Sequence, residues 1–310
     1  MQFPFNQLNL CPSSTWYLDG VTFANSSLVG TDLNGVYVDR NNTVYVADKL
    51  NNRVVIWYEG SAVPNKILYG SLSAPFSLFV TSSGDMYVDN GYSLGRLDKM
   101  SINANGSVNV MSIDDECYAI FIDISNTLYC TMTYNNRVAK KWLGDNGTTY
   151  TIIAGGGGSS TTLSLPAGLH VDIYFNLYVS DCGNHRIVKF AQGQSQGTII
   201  VGTGASGTPS LYYPNAITVD VNNYIFLTDT YNMRLLGSGP YGYRCLFGCD
   251  QVADAAANHL NYPRTFSFDS YGNIYVADRS NNRIQKFAIA SNSCSKSFQV
   301  PLHVVLSLFL

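Results

Sequence analysis

The fold of this chain is decided by the stretch Tyr275-Val276-Ala277-Asp278-Arg279-Ser280-Asn281-Asn282-Arg283-Ile284. Related stretches occupy residues 45–54, 178–187 and, more loosely, 226–235. Each copy has the pattern of a β-strand, a turn bracketed by Asp and Arg, and the start of another strand. Because a recurring unit indicates a fold built from repeats, it is stronger evidence for architecture than any single-residue motif.

Aligning the first acid of the Asp-x4-Arg turn reveals six units. The aligned positions are Asp48, Asn90, Met132, Asp181, Asp229 and Asp278, which are 42, 42, 49, 48 and 49 residues apart. The second unit has a turn one residue longer, which closes at Arg96. In the third unit Met132 replaces the acid, while Asn135-Asn136-Arg137-Val138 is kept.

Each unit contains four short strands separated by turns rich in Asn, Gly and Ser. The first is apolar, as in residues 35–39, and the second is the Tyr-Val-Ala-Asp strand. The third alternates, as in residues 283–287, and the fourth is variable and ends near Gly, as in residues 197–202. Six such units predict an all-β, six-bladed β-propeller of four-stranded antiparallel blades.

The phase of the repeat predicts how the ring closes. The last unit supplies three strands, whereas residues 19–25 match the fourth-strand pattern without a unit of their own. We therefore expect this N-terminal strand to complete the last blade, which removes a free sheet edge. The predicted divisions are an N-terminal extension (1–14), the propeller (15–298) and a hydrophobic C-terminal tail (299–310). Cys11 and Cys294 both fall in the gap of the last blade, where a disulfide would lock the closure.

The Asp-x4-Arg units resemble the NHL repeat, which is named for an Asn-His-Leu triplet near this turn. Here Asn184-His185-Arg186 comes closest to the triplet. The resemblance covers units one, four, five and six well, and units two and three in part. It implies a six-bladed propeller but no single activity, because such propellers serve in RNA-binding and ubiquitin-ligase scaffolds, in extracellular receptors and in a peptide-amidating lyase.

The recurring Asp and Arg residues are interpreted as structural turn residues, since a binding or catalytic site is needed only once. They are Asp48, Arg53, Asp181, Arg186, Asp229, Arg234, Asp278 and Arg283. Such an Asp can accept backbone N–H bonds, and the Arg can tie the turn to its surroundings. A second repeated set ends the first strands, namely Asp39, Asp123, Asp172, Asp220 and Asp269. A calcium site at these carboxylates is the alternative interpretation, but their repetition favours structure here too.

The sequence predicts no enzyme, no cofactor and no catalytic or metal-binding residue. In the peptide-amidating relatives, the resemblance implies zinc held by histidines on inner strands. Of the four histidines only His170 falls on a predicted inner strand, whereas His185 is in a turn, His259 in a linker and His303 in the tail. No nucleophilic Ser or Cys has the strand-turn-helix setting of a hydrolase elbow.

Composition limits the partners. Charged residues make up 13% of the chain, the formal net charge is −3 and the pI is near 5.7. This balance provides no basic field for a phosphate backbone, so nucleic acid is not an expected partner. We expect a monomeric propeller whose loops bind a protein, a peptide or a glycan.

Seven cysteines and four N-x-Ser/Thr sequons favour an extracellular or cell-surface location. The sequons are at Asn25, Asn41, Asn105 and Asn146. Cys245 and Cys249 are spaced for a small-loop disulfide, Cys130 fits a buried strand position, and Cys117 and Cys182 are left without partners. The N-terminus has no secretory signal pattern, so the expectation is an incomplete chain or a protein that is not secreted. The apolar tail allows membrane association.

The sequence thus predicts a non-enzymatic binding or scaffold module that uses one loop face of a propeller, outside the cell or on its surface. Two alternatives stay open. One is an intracellular NHL-type module for RNA binding or for a ubiquitin-ligase scaffold, and the other is a metal-dependent lyase of the peptide-amidating type.

Overall fold

A computed structural model describes residues 9–69, 71–103, 106–156 and 161–293. It contains six four-stranded antiparallel sheets, and each innermost strand contacts the innermost strand of the next sheet until the ring is closed. The predicted six-bladed β-propeller is therefore confirmed. The described part of the chain contains no helix long and apolar enough to cross a membrane.

The blades follow one another along the chain, each running from the innermost to the outermost strand. Blade one has β3 (Gly35–Val38), β4 (Val44–Asp48), β5 (Arg53–Trp57) and β6 (Lys66–Leu68). Blade two has β7 (Leu78–Val80), β8 (Asp85–Asp89), β9 (Arg96–Ser101) and β10 (Ser107–Ser112). Blade three has β11 (Cys117–Ile122), β12 (Thr127–Met132), β13 (Arg137–Trp142) and β14 (Thr151–Gly155).

Blade four has β15 (Pro166–Val171), β16 (Leu177–Asp181), β17 (Arg186–Phe190) and β18 (Gly197–Gly202). Blade five has β19 (Pro214–Val219), β20 (Ile225–Asp229), β21 (Arg234–Gly239) and β22 (Gly242–Phe247). Blade six has β23 (Pro263–Phe268), β24 (Ile274–Asp278), β25 (Arg283–Phe287) and β2 (Val21–Ala24). The helical segments are short: α1 (Ser26–Val29), α2 (Gly91–Leu94) and 3₁₀ turns at Lys49–Asn51, Cys182–Asn184, Thr230–Asn232 and Arg279–Asn281.

The core lies between the faces of neighbouring blades. The second strand of each blade is covered on both faces, and β4 is buried at every position. Val46, Val55 and Trp57 are fully buried in the cluster that joins blades six and one. Burial of each such side chain stabilises the fold by about 1.5–3 kcal/mol, which is why these strands are almost continuously apolar.

The two ends of the described chain meet in blade six. The strand β2 pairs antiparallel with β25, with Val21 opposite Lys286 and Ala24 opposite Ile284, which confirms the predicted closure. A second pairing was not predicted: β1 (Thr15–Trp16) pairs with β26 (Ile289–Ser291). The ring is therefore closed by two separate strand pairings.

Of the predicted Cys11–Cys294 bridge, the structure describes Cys11. The backbone N–H of Cys11 donates to Asn292 Oδ1 at 2.9 Å, and Cys11 is disulfide-bonded. Cys294 lies outside the described residues, so the pairing stays a prediction. Most of the N-terminal extension (1–14) and all of the tail (299–310), including His303, also lie outside them, and the proposed domain limits stay predictions.

Trp16 provides a test of the second closure. Its ring is 7% exposed, lies 6.4 Å from both Phe226 and Phe247, and its Nε1 donates to Gly272 O at 2.8 Å. We expect Trp16→Ala to lower the free energy of unfolding by about 3–5 kcal/mol, measured by urea denaturation. Trp142, which is 55% exposed, is the matched control, and Trp142→Ala should cost below about 1 kcal/mol. Equal losses in the two variants would contradict the role of Trp16.

Candidate functional site

The turns between second and third strands and the linkers that enter each blade lie at one end of the ring, here called the turn face. The Asp-x4-Arg segments belong to it. In blade four, Asp181 Oδ1 accepts the N–H of Ser164 at 2.7 Å, and Oδ2 accepts Nε of Arg186 at 2.7 Å. The Nη2 of Arg186 donates to Thr162 O at 3.0 Å. The carboxylate of Asp181 and the guanidinium of Arg186 together hold the linker that enters blade four.

The same bonds recur where the motif is intact. The ion pairs Asp48–Arg53, Asp229–Arg234 and Asp278–Arg283 measure 2.6, 2.8 and 2.7 Å. All four acids are fully buried. Each carboxylate is paired with the arginine of its own turn, so these residues are not available to a ligand.

A further contact joins each turn to the next blade. In every blade but the second, the last turn residue adopts a left-handed conformation, and its side chain accepts the N–H of a left-handed residue in the following linker. In blade two this residue is Gly95, and its carbonyl oxygen accepts a linker N–H at 2.8 Å. Asn52 accepts from Ala74 at 2.7 Å, and Asn136 accepts from Leu165 at 2.7 Å. His185 Nδ1 accepts from Tyr213 at 3.1 Å. Each linker is therefore held by the blade that it enters and by the blade that it leaves.

The two degenerate units replace the ion pair differently. In blade two Asn90 Oδ1 accepts the N–H of Ser73 at 2.5 Å, as an Asp would, while its Nδ2 donates to Asp98 at 2.8 Å. Arg96 pairs with Asp98 at 3.1 Å. The carboxylate that pairs with the arginine therefore lies on the third strand of blade two, at Asp98, and not at the start of the turn.

In blade three the missing acid is supplied by the preceding linker. Arg137 pairs with Asp114 at 2.5 Å, and Asp115 Oδ2 accepts the N–H of Asn135 at 2.8 Å. The turn is thus held without an acid at Met132.

The second set of repeated carboxylates lies at the opposite end of the ring, in the turns between first and second strands. Asp172 Oδ1 accepts the N–H groups of Tyr174 and Asn176 at 2.9 Å, and Oδ2 accepts Nδ2 of Asn176 at 2.8 Å. Corresponding backbone bonds are made by Asp39, Asp123, Asp220 and Asp269. Across the described ranges, no three His, Cys, Asp or Glu residues are grouped as a metal site.

The histidines of the described chain do not converge. His170 lies on β15, is 2% exposed, and burial lowers its pKa to about 4. His185 occupies the turn of blade four. His259 lies in the linker before blade six, where Asp254 and Asp250 each contact one ring nitrogen at 2.6 Å. The bond to Asp254, with that to Asp250, raises the pKa of His259 and leaves neither nitrogen free to act as a base.

One disulfide was not predicted from the sequence. Cys117, which the sequence left without a partner, forms a disulfide with Cys130 that joins β11 to β12, with a Cα–Cα distance of 5.3 Å. Strand pairing places the two residues together, although they are 13 positions apart in sequence. Cys245 and Cys249 form the small-loop disulfide. Among the described cysteines Cys182 is free and buried, and burial raises its thiol pKa to about 12.

Three of the sequons can be placed. Asn25, Asn41 and Asn146 are exposed. The side chain of Asn25 also caps α1 by accepting the N–H of Ser27 at 3.1 Å. Asn105 lies outside the described residues.

The innermost strands line a central channel. One layer of it consists of the equivalent positions Tyr37, Phe79, Phe121, His170, Thr218 and Ser267. Neighbouring rings in this layer lie 5.1, 5.5 and 4.8 Å apart from Tyr37 round to His170. The channel contains a cavity of about 140 Å³, so its polar groups face a small, largely apolar space.

An aromatic patch covers part of the turn face over blades four to six. This tyrosine cluster consists of Tyr212, Tyr213, Tyr231 and Tyr262, with His185 beside them. Tyr231 lies 5.4, 4.7 and 4.9 Å from the other three rings, and His185 lies 4.6 Å from Tyr213. Tyr212 and Tyr231 are 46% and 44% exposed. This cluster was not predicted, although a Tyr directly before Pro at the entry of blades five and six was a signal for it.

The comparisons with known proteins agree with the architecture. The family model for the NHL repeat matches residues 260–287. No curated relative matches the chain. A structural genomics protein of unknown function from Bacteroides thetaiotaomicron is similar in structure, with a TM-score of 0.69 and 16% identity over 93% of this chain and 76% of that one.

Two further solved structures are similar. An auxiliary nutrient binding protein from Bacteroides thetaiotaomicron has a TM-score of 0.66 and 12% identity, covering 93% of this chain and 76% of its own. Virginiamycin B lyase from Staphylococcus aureus has a TM-score of 0.60 and 12% identity, covering 87% of this chain and 98% of its own. At these identities the likeness shows the fold alone.

Asn90 provides a test of the turn chemistry. Asn90→Asp restores the acid of the repeat, yet we expect it to lower the free energy of unfolding by about 2–4 kcal/mol. The change removes the donors to Asp98 and to Ser71 O, and it sets two fully buried carboxylates against each other. The double variant Asn90→Asp/Asp98→Asn should recover at least half of the loss in urea denaturation. A double variant as unstable as the single one would argue against this pairing.

Proposed function

The chain is an NHL-repeat β-propeller, and we propose that it is a non-enzymatic binding module whose turn face binds a peptide segment of a protein partner. The observation that carries this proposal is the tyrosine cluster, which places two half-exposed rings side by side on that face. Tyr is enriched at the centres of protein interfaces, because it offers a rigid apolar ring together with a polar hydroxyl.

The cluster is held in place before any ligand arrives. Tyr213 is anchored through its N–H to His185, and Tyr212 is anchored through its N–H to Asp229 at 2.7 Å. The Asp229 carboxylate is paired with Arg234 below the rings. Little conformational entropy is therefore lost on binding, and the exposed tyrosine rings carry no charge, which suits an uncharged peptide segment.

The chemistry of the buried groups supports a role other than catalysis. His170 has a pKa near 4 and is a weak base, and Cys182 has a pKa near 12 and is a weak nucleophile at neutral pH. The repeated carboxylates are occupied by hydrogen bonds within each blade. The lyase and the nutrient-binding protein are similar to this chain in fold, and their activities are not carried over.

The ligand proposal is tested by selecting peptides from a displayed library on the immobilised protein. We expect the selected peptides to bind Tyr212→Ser/Tyr231→Ser at least about 30-fold more weakly, because each buried aromatic anchor contributes about 2 kcal/mol or more. Tyr174→Ser/Tyr271→Ser is the matched control, since these tyrosines are 63% and 61% exposed in turns on the opposite face.

The outcomes separate the ligand classes. A glycan array on which only sugars bind, again through Tyr212 and Tyr231, would replace the peptide by a glycan on the same face. Selected ligands that bind the cluster variant and the wild type equally would refute the assignment of this face.

We also propose an extracellular or cell-surface location. Disulfides persist mainly in oxidising compartments, and the described chain contains the pairs Cys117–Cys130 and Cys245–Cys249. Its three described sequons are exposed to glycosylation enzymes.

For protein isolated from its own cells, we expect removal of N-linked glycans to lower the mass by one or more glycans. Alkylation without reduction should leave the four cysteines of these disulfides unlabelled. The unglycosylated exposed residue Asn65, which has no sequon, serves as an internal control in the peptide map. Unmodified Asn25, Asn41 and Asn146 together with four alkylated cysteines would contradict this location.

A further inference from the structure

The mouth of the central channel at the turn face is rimmed by one residue from each blade. Each lies two positions before a buried residue of the innermost strand, and the six are Asn34, Phe76, Tyr118, Ala167, Asn215 and Arg264. Arg264 is the one charged residue in this set, and it faces an aromatic half of the rim.

Arg264 reaches across the mouth from blade six to blade three. Its Cζ lies 5.9 Å from the ring centroid of Tyr118. The Tyr118 ring lies 3.9 Å from that of Phe76, and Nζ of Lys49 lies 4.9 Å from the Phe76 centroid. Two contacting aromatic rings thus each carry a cation at the entrance of the channel.

The guanidinium of Arg264 has unused donors. In the described ranges it forms no ion pair, and its Nε is buried without a hydrogen-bond partner. Lys49 likewise forms no ion pair within those ranges. A guanidinium presents five N–H donors in a planar fork that matches the two oxygens of a carboxylate. The mouth therefore presents two cations, one of them with an unused donor, to an anion.

The acids near the mouth leave these cations unpaired. Asp89 is fully buried, and burial raises its pKa to about 8, so it is mostly uncharged at neutral pH. Glu116 is 8% exposed. Neither acid lies within ion-pair distance of Arg264 or Lys49 among the described contacts.

The channel below the mouth can accept an apolar group. Its cavity of about 140 Å³ is lined by Tyr118, Phe79, Phe121, Leu169 and Phe266, among others. An apolar cavity of about 150 Å³ is large enough to bind benzene. The guanidinium that can bind an anion and the cavity that can hold one aromatic ring are therefore adjacent, since Tyr118 contacts the first and lines the second.

We propose that the channel mouth binds a carboxylate attached to a single aromatic ring, with the carboxylate on Arg264 and the ring in the cavity beneath Tyr118. The ligand is a free arylalkanoic acid or the C-terminal phenylalanine of a peptide, since both present the same chemistry. This site is separate from the tyrosine cluster and does not depend on the function proposed for it.

Isothermal titration calorimetry with 3-phenylpropionate tests the proposal. We expect the neutral amide of this acid, and propionate without the ring, each to bind at least about tenfold more weakly. Arg264→Gln should weaken 3-phenylpropionate binding by about tenfold or more, and Arg264→Lys should lie between, because a lysine offers a point charge without the fork. Lys286→Gln is the control, since Lys286 lies 5.0 Å from the Tyr275 ring, away from the mouth.

Thermal melting establishes that each variant is folded. If Arg264→Gln does not fold, Arg264→Lys still tests the role of the guanidinium. Comparing the peptide Gly-Gly-Phe, as acid and as amide, with 3-phenylpropionate identifies which source binds more tightly. Tyr212→Ser/Tyr231→Ser should bind 3-phenylpropionate as the wild type does, so failure of one proposal is distinguishable from failure of the other. Equal binding of acid and amide, equal binding by wild type and Arg264→Gln, or no binding at 10 mM ligand (about 2.7 kcal/mol of affinity) would overturn the proposal.

Discussion

The fold depends on how the linker between two blades is held. A linker has no sheet partners, so its backbone N–H and C=O groups need side-chain partners. The buried carboxylate of Asp181 and the guanidinium of Arg186 supply them for the entry to blade four, and Asn136 of blade three supplies another. Removing one partner leaves a buried charge or donor unpaired, which costs more than the pair contributes. This constraint explains why the motif recurs while the loops around it vary.

The two irregular units show that the constraint acts on chemistry rather than on residue identity. Blade two keeps an oxygen acceptor at Asn90 and moves the carboxylate to Asp98. Blade three moves it into the linker, at Asp114. In both blades, an oxygen atom still accepts from a linker N–H group or from the arginine of the turn. A search for the Asp-x4-Arg string alone would therefore count four blades, although six are built on the same principle.

The architecture was predictable because it rests on period and alternation, which a sequence displays directly. The closure of blade six by residues 21–24 followed from the phase of the repeat. The β1–β26 pairing, by contrast, involves two and three residues, too short for any alternation to be seen. The Cys117–Cys130 bond was missed because the irregular pairing of β11 with β12, which shifts register between Cys117 and Ile120, brings the two thiols together, not their spacing along the chain. Likewise, the tyrosine cluster forms only when neighbouring blades pack together, so the Tyr-Pro pairs indicate its members but not their contacts. Arg264 meets Tyr118 only across the closed ring, so the channel mouth could not be derived from the sequence.

The two-ended construction of blade six has a consequence for synthesis. The strand at residues 21–24 leaves the ribosome before blades one to five, but its partner at residues 283–287 emerges only after them. While blades one to five are being translated, the nascent chain therefore carries an unpaired strand ahead of blade one and an open ring behind it. Blades one to five can form in order, while closure of the ring waits for residues 283–287. An interrupted or prematurely terminated chain would be left open at that point, with an edge that chaperones or other nascent chains can bind.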